Sequence, residues 1–170
     1  AFTNANCWSE HFLPYFAEQG WDTYAVSLRG HGKSEGRAHL LTTLLEDYLV
    51  DLDAAVAELP AKPVLIGHSM GGFLVQRYLE TKTAPAAVLL SSTPPNGLLP
   101  VFFHLLCYRP FMLQQLAFWQ EQPENAPVEF WRNLIFSHRV PNAELENYRT
   151  LYQRESFFAT LQLYGQFIRS

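Results

Sequence analysis

Val64-Leu65-Ile66-Gly67-His68-Ser69-Met70-Gly71-Gly72 is the stretch that decides how this chain folds. A short apolar run of strand character leads into Gly-x-Ser-x-Gly, and Phe73 to Glu80 behind it reads as helix. A strand, a sharp turn bearing a serine and a helix together lift the serine hydroxyl above a sheet. Gly67 and Gly71 are expected to leave room for backbones to pass. The N-terminus of the new helix, with unpaired N–H groups and a positive dipole end, faces the place where an oxyanion would form. Ser69 is therefore the candidate nucleophile, and the backbone N–H of Met70 is a candidate oxyanion donor. A chance Gly-x-Ser-x-Gly turns up in roughly one chain of this length in twenty, so the flanking strand and helix carry much of the argument.

A second segment supports the first. Trp21 to Leu28 alternates at Tyr24, Val26 and Leu28 as a strand would, and runs into Arg29-Gly30-His31-Gly32-Lys33-Ser34-Glu35-Gly36. With both segments in view, the sequence resembles the α/β-hydrolase superfamily, which carries a Gly-His-Gly-x-Ser loop upstream of its serine turn. Within it, His31-Gly32-Lys33-Ser34-Glu35-Gly36 and Gly67-His68-Ser69-Met70-Gly71-Gly72 look most like the monoacylglycerol lipase and lysophospholipase-like branch of serine hydrolases. The resemblance covers residues 1 to about 95 and rests on position and composition beyond that.

The resemblance implies a fold and a set of roles. The fold class is α/β: a parallel sheet core with flanking helices plus a helical cap, incomplete at both termini. A His-Gly dipeptide precedes the first loop of such proteins, and the residue after it donates the second oxyanion N–H; in this chain that residue would be Ala1. The chain order serine, acid, histidine places the triad acid and base beyond Ser170. His31 matches the family's loop-shaping histidine rather than its base. His68 is expected to be buried in the serine turn, His11 to lie in the first helix, and His39, His104 and His138 in loops or later helices. Asp47, Asp51 and Asp53 share one helix and read as its solvated or loop-bracing face.

Composition narrows the partners. The net charge of -4, with no basic stripe, excludes nucleic acid as an expected partner. Cys7 and Cys107 are isolated thiols without metal-type spacing, which fits a reducing compartment, and no signal peptide is visible; the expectation is a cytoplasmic protein. Leu98 to Trp119 is apolar, but Pro100, His104, Arg109, Pro110, Gln114 and Gln115 interrupt it, so membrane contact is expected to be transient at most.

Along the chain, Cys7 to Gln19 reads as a first helix, with Ser9 as its N-cap, Gly20 as its stop and Pro14 marking a kink or the first turn. Thr43-Leu44-Leu45-Glu46 reads as a capping box opening a long helix, and Ala86 to Leu90 as the next strand. Residues 1–93 form the partial core; Pro94-Pro95-Asn96-Gly97 opens a helical cap over residues 94–170. Fifteen of the 25 aromatic residues fall after that boundary, among them Phe102, Phe103, Phe111, Trp119, Phe130, Trp131, Phe157 and Phe158. They either pack the cap onto the core or line an acyl-binding groove. Asn142 to Glu155 and Phe157 to Ile168 read as the last two helices.

The chemistry the resemblance implies is hydrolysis of a small apolar carboxylic ester, a monoacylglycerol or lysophospholipid, through an acyl-enzyme on Ser69. No metal or organic cofactor is required. Serine at this position argues against the epoxide hydrolases and haloalkane dehalogenases, which place Asp there. Thioester, carbon–carbon and perhydrolytic chemistry stand behind ester cleavage, and a catalytically silent binding protein of the same fold is the alternative from another class. The 170-residue chain by itself is expected to be inactive, because it carries no base placed to activate the serine.

Overall fold

The structure is a computed structural model, which describes residues 1–136 and 140–165. Its sheet has two parallel strands, β1 (Leu65–His68) and β2 (Ala87–Leu90), in the register Leu65↔Ala87 to His68↔Leu90. The helix between them, α3 (Met70–Leu79), begins on the residue after Ser69 rather than at Phe73. Parallel neighbours need a long crossover, and α3 supplies it.

Helix α3 is the centre of the core. Its Met70, Phe73 and Leu74 pack with Leu45 and Tyr48 of α2 (Leu45–Ala57) and with Ala159 and Leu163 of α8 (Phe157–Tyr164). Its other face, Val75 and Tyr78, packs with Leu65 of β1. Burying one such apolar side chain contributes about 1.5–3 kcal/mol. The strand–helix–strand frame around Ser69 is thus held from both sides.

Several local expectations shift. The first helix divides into a 3-10 turn, Ala5–Trp8, and α1 (Phe12–Glu18). The Asn4 side chain caps the 3-10 turn, and Ser9 closes that turn instead of opening a helix. Pro14 falls in the first turn of α1, where its missing N–H costs no helical bond. The cap of α2 moves by one residue: Leu44 N–H donates to Asp47 Oδ2 at 2.8 Å, half of the predicted reciprocal pair. Thr43 turns its hydroxyl to the His39 carbonyl at 3.2 Å instead.

Trp21 to Leu28 forms no regular element and belongs to no ladder among the described residues. A strand needs a partner, and alternation alone does not supply one. Its Tyr24 and Val26 point outward, 60% and 40% exposed.

Behind a turn closed by Gly97 N–H to Pro94 O, the remaining elements are helical. They are α4 (Leu99–Tyr108), α5 (Pro110–Trp119), a 3-10 turn at Pro123–Asn125, α6 (Val128–Ile135), α7 (Asn142–Arg149) and α8. Helix α7 stops at Arg149, six residues short of the expected Glu155, and the end of the expected Phe157–Ile168 helix lies outside the described residues. Phe130 and Trp131 of α6 form a separate buried cluster with Ala126, and Trp131 stacks on Tyr152 at 3.8 Å. Phe103, Phe111, Phe157 and Phe158 remain exposed. No described helix is long and apolar enough to cross a membrane.

Candidate active site

Ser69 sits between β1 and α3 at φ 54° and ψ -120°. A non-glycine residue held there stores about 1–3 kcal/mol of strain, so neighbouring bonds must over-determine it. They are present. Ser69 N–H donates to Leu90 O at 3.1 Å, and its carbonyl accepts from Thr93 N–H at 3.1 Å and Phe73 N–H at 3.2 Å. The loop after β2, in which Thr93 is buried, is fixed in turn by Gln76, whose Nε2 donates to Ser92 Oγ at 2.7 Å and Thr93 O at 2.9 Å. With its backbone pinned, Ser69 keeps a half-buried side chain whose hydroxyl has no hydrogen-bond partner among the described residues.

Two glycines let the turn close. A Cβ on Gly67 would lie 2.5 Å from Gly71 O, and one on Gly72 would lie 2.5 Å from Ser92 Oγ. Gly71 meets nothing within 4 Å, so the crowding expected at Gly71 falls on Gly72 instead. Met70 is the first residue of α3, is buried, and its N–H has no carbonyl one turn back within the helix. Ala1 packs against the core cluster of which Met70 is one member.

His31 is 1% exposed and committed elsewhere. Its Nδ1 is 3.0 Å from Arg29 O. Its Nε2 is 3.3 Å from Glu155 Oε1, close enough for an ion pair though outside hydrogen-bond geometry. Both ring nitrogens face acceptors, so neither is disposed to take a serine proton. Burial pushes the Glu155 carboxyl up, but the facing His31 imidazole and the Tyr48 hydroxyl outweigh it and bring its pKa down to about 2. Arg29 braces the same loop, with Nη2 at 2.7 Å from Asp51 Oδ1 and Nη1 at 3.2 Å from Asp47 Oδ1. Asp53 instead pairs with Lys82 at 3.0 Å.

The other histidines are also accounted for. His68, expected to be buried, is exposed, because the inward side of β1 is taken by Leu65 and Gly67. Desolvation holds its pKa below the usual histidine value. His11 contacts Tyr148 Oη at 3.3 Å, His104 packs on the Tyr108 ring, and His39 lies exposed in a 3-10 turn. His138 lies outside the described residues. Among those residues no histidine hydrogen-bonds the Ser69 hydroxyl, and no group of three His, Cys, Asp or Glu side chains is placed to hold a metal.

Sequence reasoning missed Glu155, Tyr48 and Gln76 as parts of this neighbourhood. Tyr48 and Gln76 were visible only as members of helices. Glu155 read as the end of one, and its contact with Tyr48 spans 107 positions.

The comparisons bear on the fold that carries this turn. A monoacylglycerol lipase from Mycolicibacterium smegmatis is 39% identical over 99 residues, covering 54% of this chain and 35% of that protein. A non-heme chloroperoxidase from Burkholderia pyrrocinia is 35% identical over 98 residues, covering 52% and 33%. The chain thus matches about a third of the length of these curated relatives. Among solved structures, an esterase from Exiguobacterium antarcticum superposes with a TM-score of 0.69 at 17% identity, over 99% of this chain and 62% of that one. Tomato methylketone synthase I gives 0.68 at 24%, over 100% and 70%. At those identities the superpositions show the fold alone. The alpha/beta hydrolase family model matches residues 1–167, the fold around the Ser69 turn is the α/β-hydrolase fold, and the chain belongs to that family.

Proposed function

We propose that the protein is a serine hydrolase that cleaves small apolar carboxylic esters through an acyl-enzyme on Ser69. The observation that carries this reading is the strained serine between β1 and α3, pinned by its backbone and left with an unpaired hydroxyl. Ser69 Oγ adds to the ester carbonyl while a histidine takes its proton, as the chain order of the family implies. The oxyanion is held by the N–H groups of Met70 and Ala1. Collapse breaks the bond to the alcohol, which leaves with that proton, and water then releases the acid from Ser69. The lipase and esterase names among the matched proteins favour a monoacylglycerol, a lysophospholipid or a similar ester as substrate. The match to a protein named as a chloroperoxidase favours a second reading, in which hydrogen peroxide replaces water as the acyl acceptor.

A fluorophosphonate probe tests the nucleophile. Labelling of the whole protein is expected at Ser69, and Ser69→Ala is expected to abolish it and to lower p-nitrophenyl ester turnover by at least about 10⁴-fold. Labelling that persists in Ser69→Ala sinks the assignment. The 170-residue chain assayed by itself is expected to match its Ser69→Ala control, since no described histidine reaches the Ser69 hydroxyl.

A further inference from the structure

The segment from Gln153 to Ser156 joins α7 to α8, and it reaches back to the first residues of the chain. Gln153 N–H donates to Phe2 O at 2.8 Å, and Phe2 N–H donates to Glu155 Oε2 at 3.1 Å. Both backbone polar groups of Phe2 are therefore held by one short segment. Phe2 has a φ of 61°, a conformation that a bulky residue keeps only when its surroundings impose it. Ala1, the residue next to it, packs against the cluster containing Met70.

The Glu155 carboxylate divides its contacts unevenly. Oε1 accepts from Tyr48 Oη at 2.5 Å and Ser156 N–H at 2.8 Å, and faces His31 Nε2 at 3.3 Å. Oε2 accepts from Phe2. Three of the four contacts seat the carboxylate; the fourth is what the carboxylate does for the first turn of the chain. Glu155 is 5% exposed, and ester cleavage at Ser69 has no direct use for it. We propose that Glu155 is a positioning residue for the oxyanion hole: it fixes Phe2, and through Phe2 it fixes the Ala1 N–H beside that of Met70. The helical region then completes the hole, because the hole is set only while the segment from Gln153 to Glu155 is seated. This inference rests on the serine-hydrolase reading given above.

Glu155→Gln separates the two halves of the cluster. The amide oxygen goes to the Oε1 position, where the donors converge, and the NH₂ then faces Phe2 N–H, donor against donor. Tyr48→Phe removes one Oε1 partner and leaves the Phe2 bond intact. In the whole protein, Glu155→Gln is expected to lower kcat by roughly 10- to 100-fold with KM within about twofold. It is also expected to weaken, in parallel, inhibition by phenylboronic acid, whose tetrahedral adduct on Ser69 places an oxygen in the hole. Tyr48→Phe is expected to lower the urea midpoint and to keep kcat. Should Glu155→Gln not fold, Glu155→Asp keeps the buried charge, releases the single Phe2 contact first, and is expected to shift kcat and boronate affinity the same way.

Wild-type kcat and boronate affinity in a folded Glu155 variant overturn the inference, as does an equal loss of kcat in Tyr48→Phe. Either result leaves the assignment of Ser69 standing. Fluorophosphonate labelling away from Ser69 overturns that assignment and the inference with it.

Discussion

Gly30-His31 and Gly67-His68 are two turns that share a dipeptide and are held in opposite ways. In the first, the side chain is the anchor: His31 is buried against Glu155 and Tyr48, and Arg29 is clamped by Asp47 and Asp51. In the second, the side chain is exposed and the backbone is the anchor: Ser69 makes three main-chain bonds, and Gly67 and Gly72 let β1, α3 and the loop after β2 approach within contact. On the serine-hydrolase reading, a turn that must present a reactive hydroxyl cannot also spend that hydroxyl on holding itself together. Its rigidity has to come from the main chain.

The comparison breaks most directly at the two histidines. His31→Ala leaves the buried Glu155 carboxylate without the imidazole that faces it, and leaving a buried group short of a partner costs about 1–3 kcal/mol, more when that group is charged. His68→Ala, at an exposed position, is expected to stay within about 0.5 kcal/mol. Urea unfolding of both variants checks the contrast. Folded His31→Ala protein should still label with fluorophosphonate; folded protein with no labelling would give His31 a catalytic part. Equal destabilisation by the two substitutions would erase the distinction between the turns.

Acid is the next largest probe. The folded-state pKa of Glu155, at about 2, lies below its ordinary value of 4.5. A depressed carboxyl contributes stability that is fully present above the unfolded value and is lost as the pH falls through the folded one. The contribution is on the order of 3 kcal/mol and disappears between about pH 4.5 and pH 2. Comparing the pH dependence of the urea midpoint in wild type and Glu155→Gln isolates it, since other carboxylates titrate in both. Superimposable slopes would mean that the Glu155 charge does not hold the first turn.

The difference between the turns also explains what could be read from the sequence. Backbone-held structure is written locally: an apolar run, glycines at set offsets and a serine placed β1, the Ser69 turn, α3 and β2 without knowledge of any distant residue. Side-chain-held structure is written in pairs. His31 was recognisable as a loop-shaping residue, but Glu155 was not recognisable as its partner, because no periodicity links an acid in the helical region to a glycine loop more than a hundred residues earlier. Trp21 to Leu28 failed for a related reason: alternation describes the faces of a strand, and the ladder depends on a neighbour. The burial assigned to His68 was a local error, since the alternation of Leu65 and Gly67 inward already turned that residue out.

The smallest expected effects separate the three glycines of the serine turn. A Cβ at position 67 would press on the Gly71 carbonyl at 2.5 Å and Gly72 Cα at 2.7 Å, both backbone atoms that cannot step aside. A Cβ at position 72 would meet Ser92 Oγ and Cβ at 2.5 and 2.6 Å; Ser92 can rotate only by giving up its bond from Gln76. Overpacking of this kind costs about 1–3 kcal/mol. Position 71 has open space and an ordinary φ, and alanine in a helix is favoured over glycine by roughly 0.5–1 kcal/mol. Gly67→Ala and Gly72→Ala are therefore expected to lower the urea midpoint and slow fluorophosphonate labelling, and Gly71→Ala to leave the midpoint unchanged or raise it. A Gly71→Ala protein as unstable as the other two would mean that this turn tolerates no side chain anywhere, and that its rigidity is not set by the close approaches at Gly67 and Gly72.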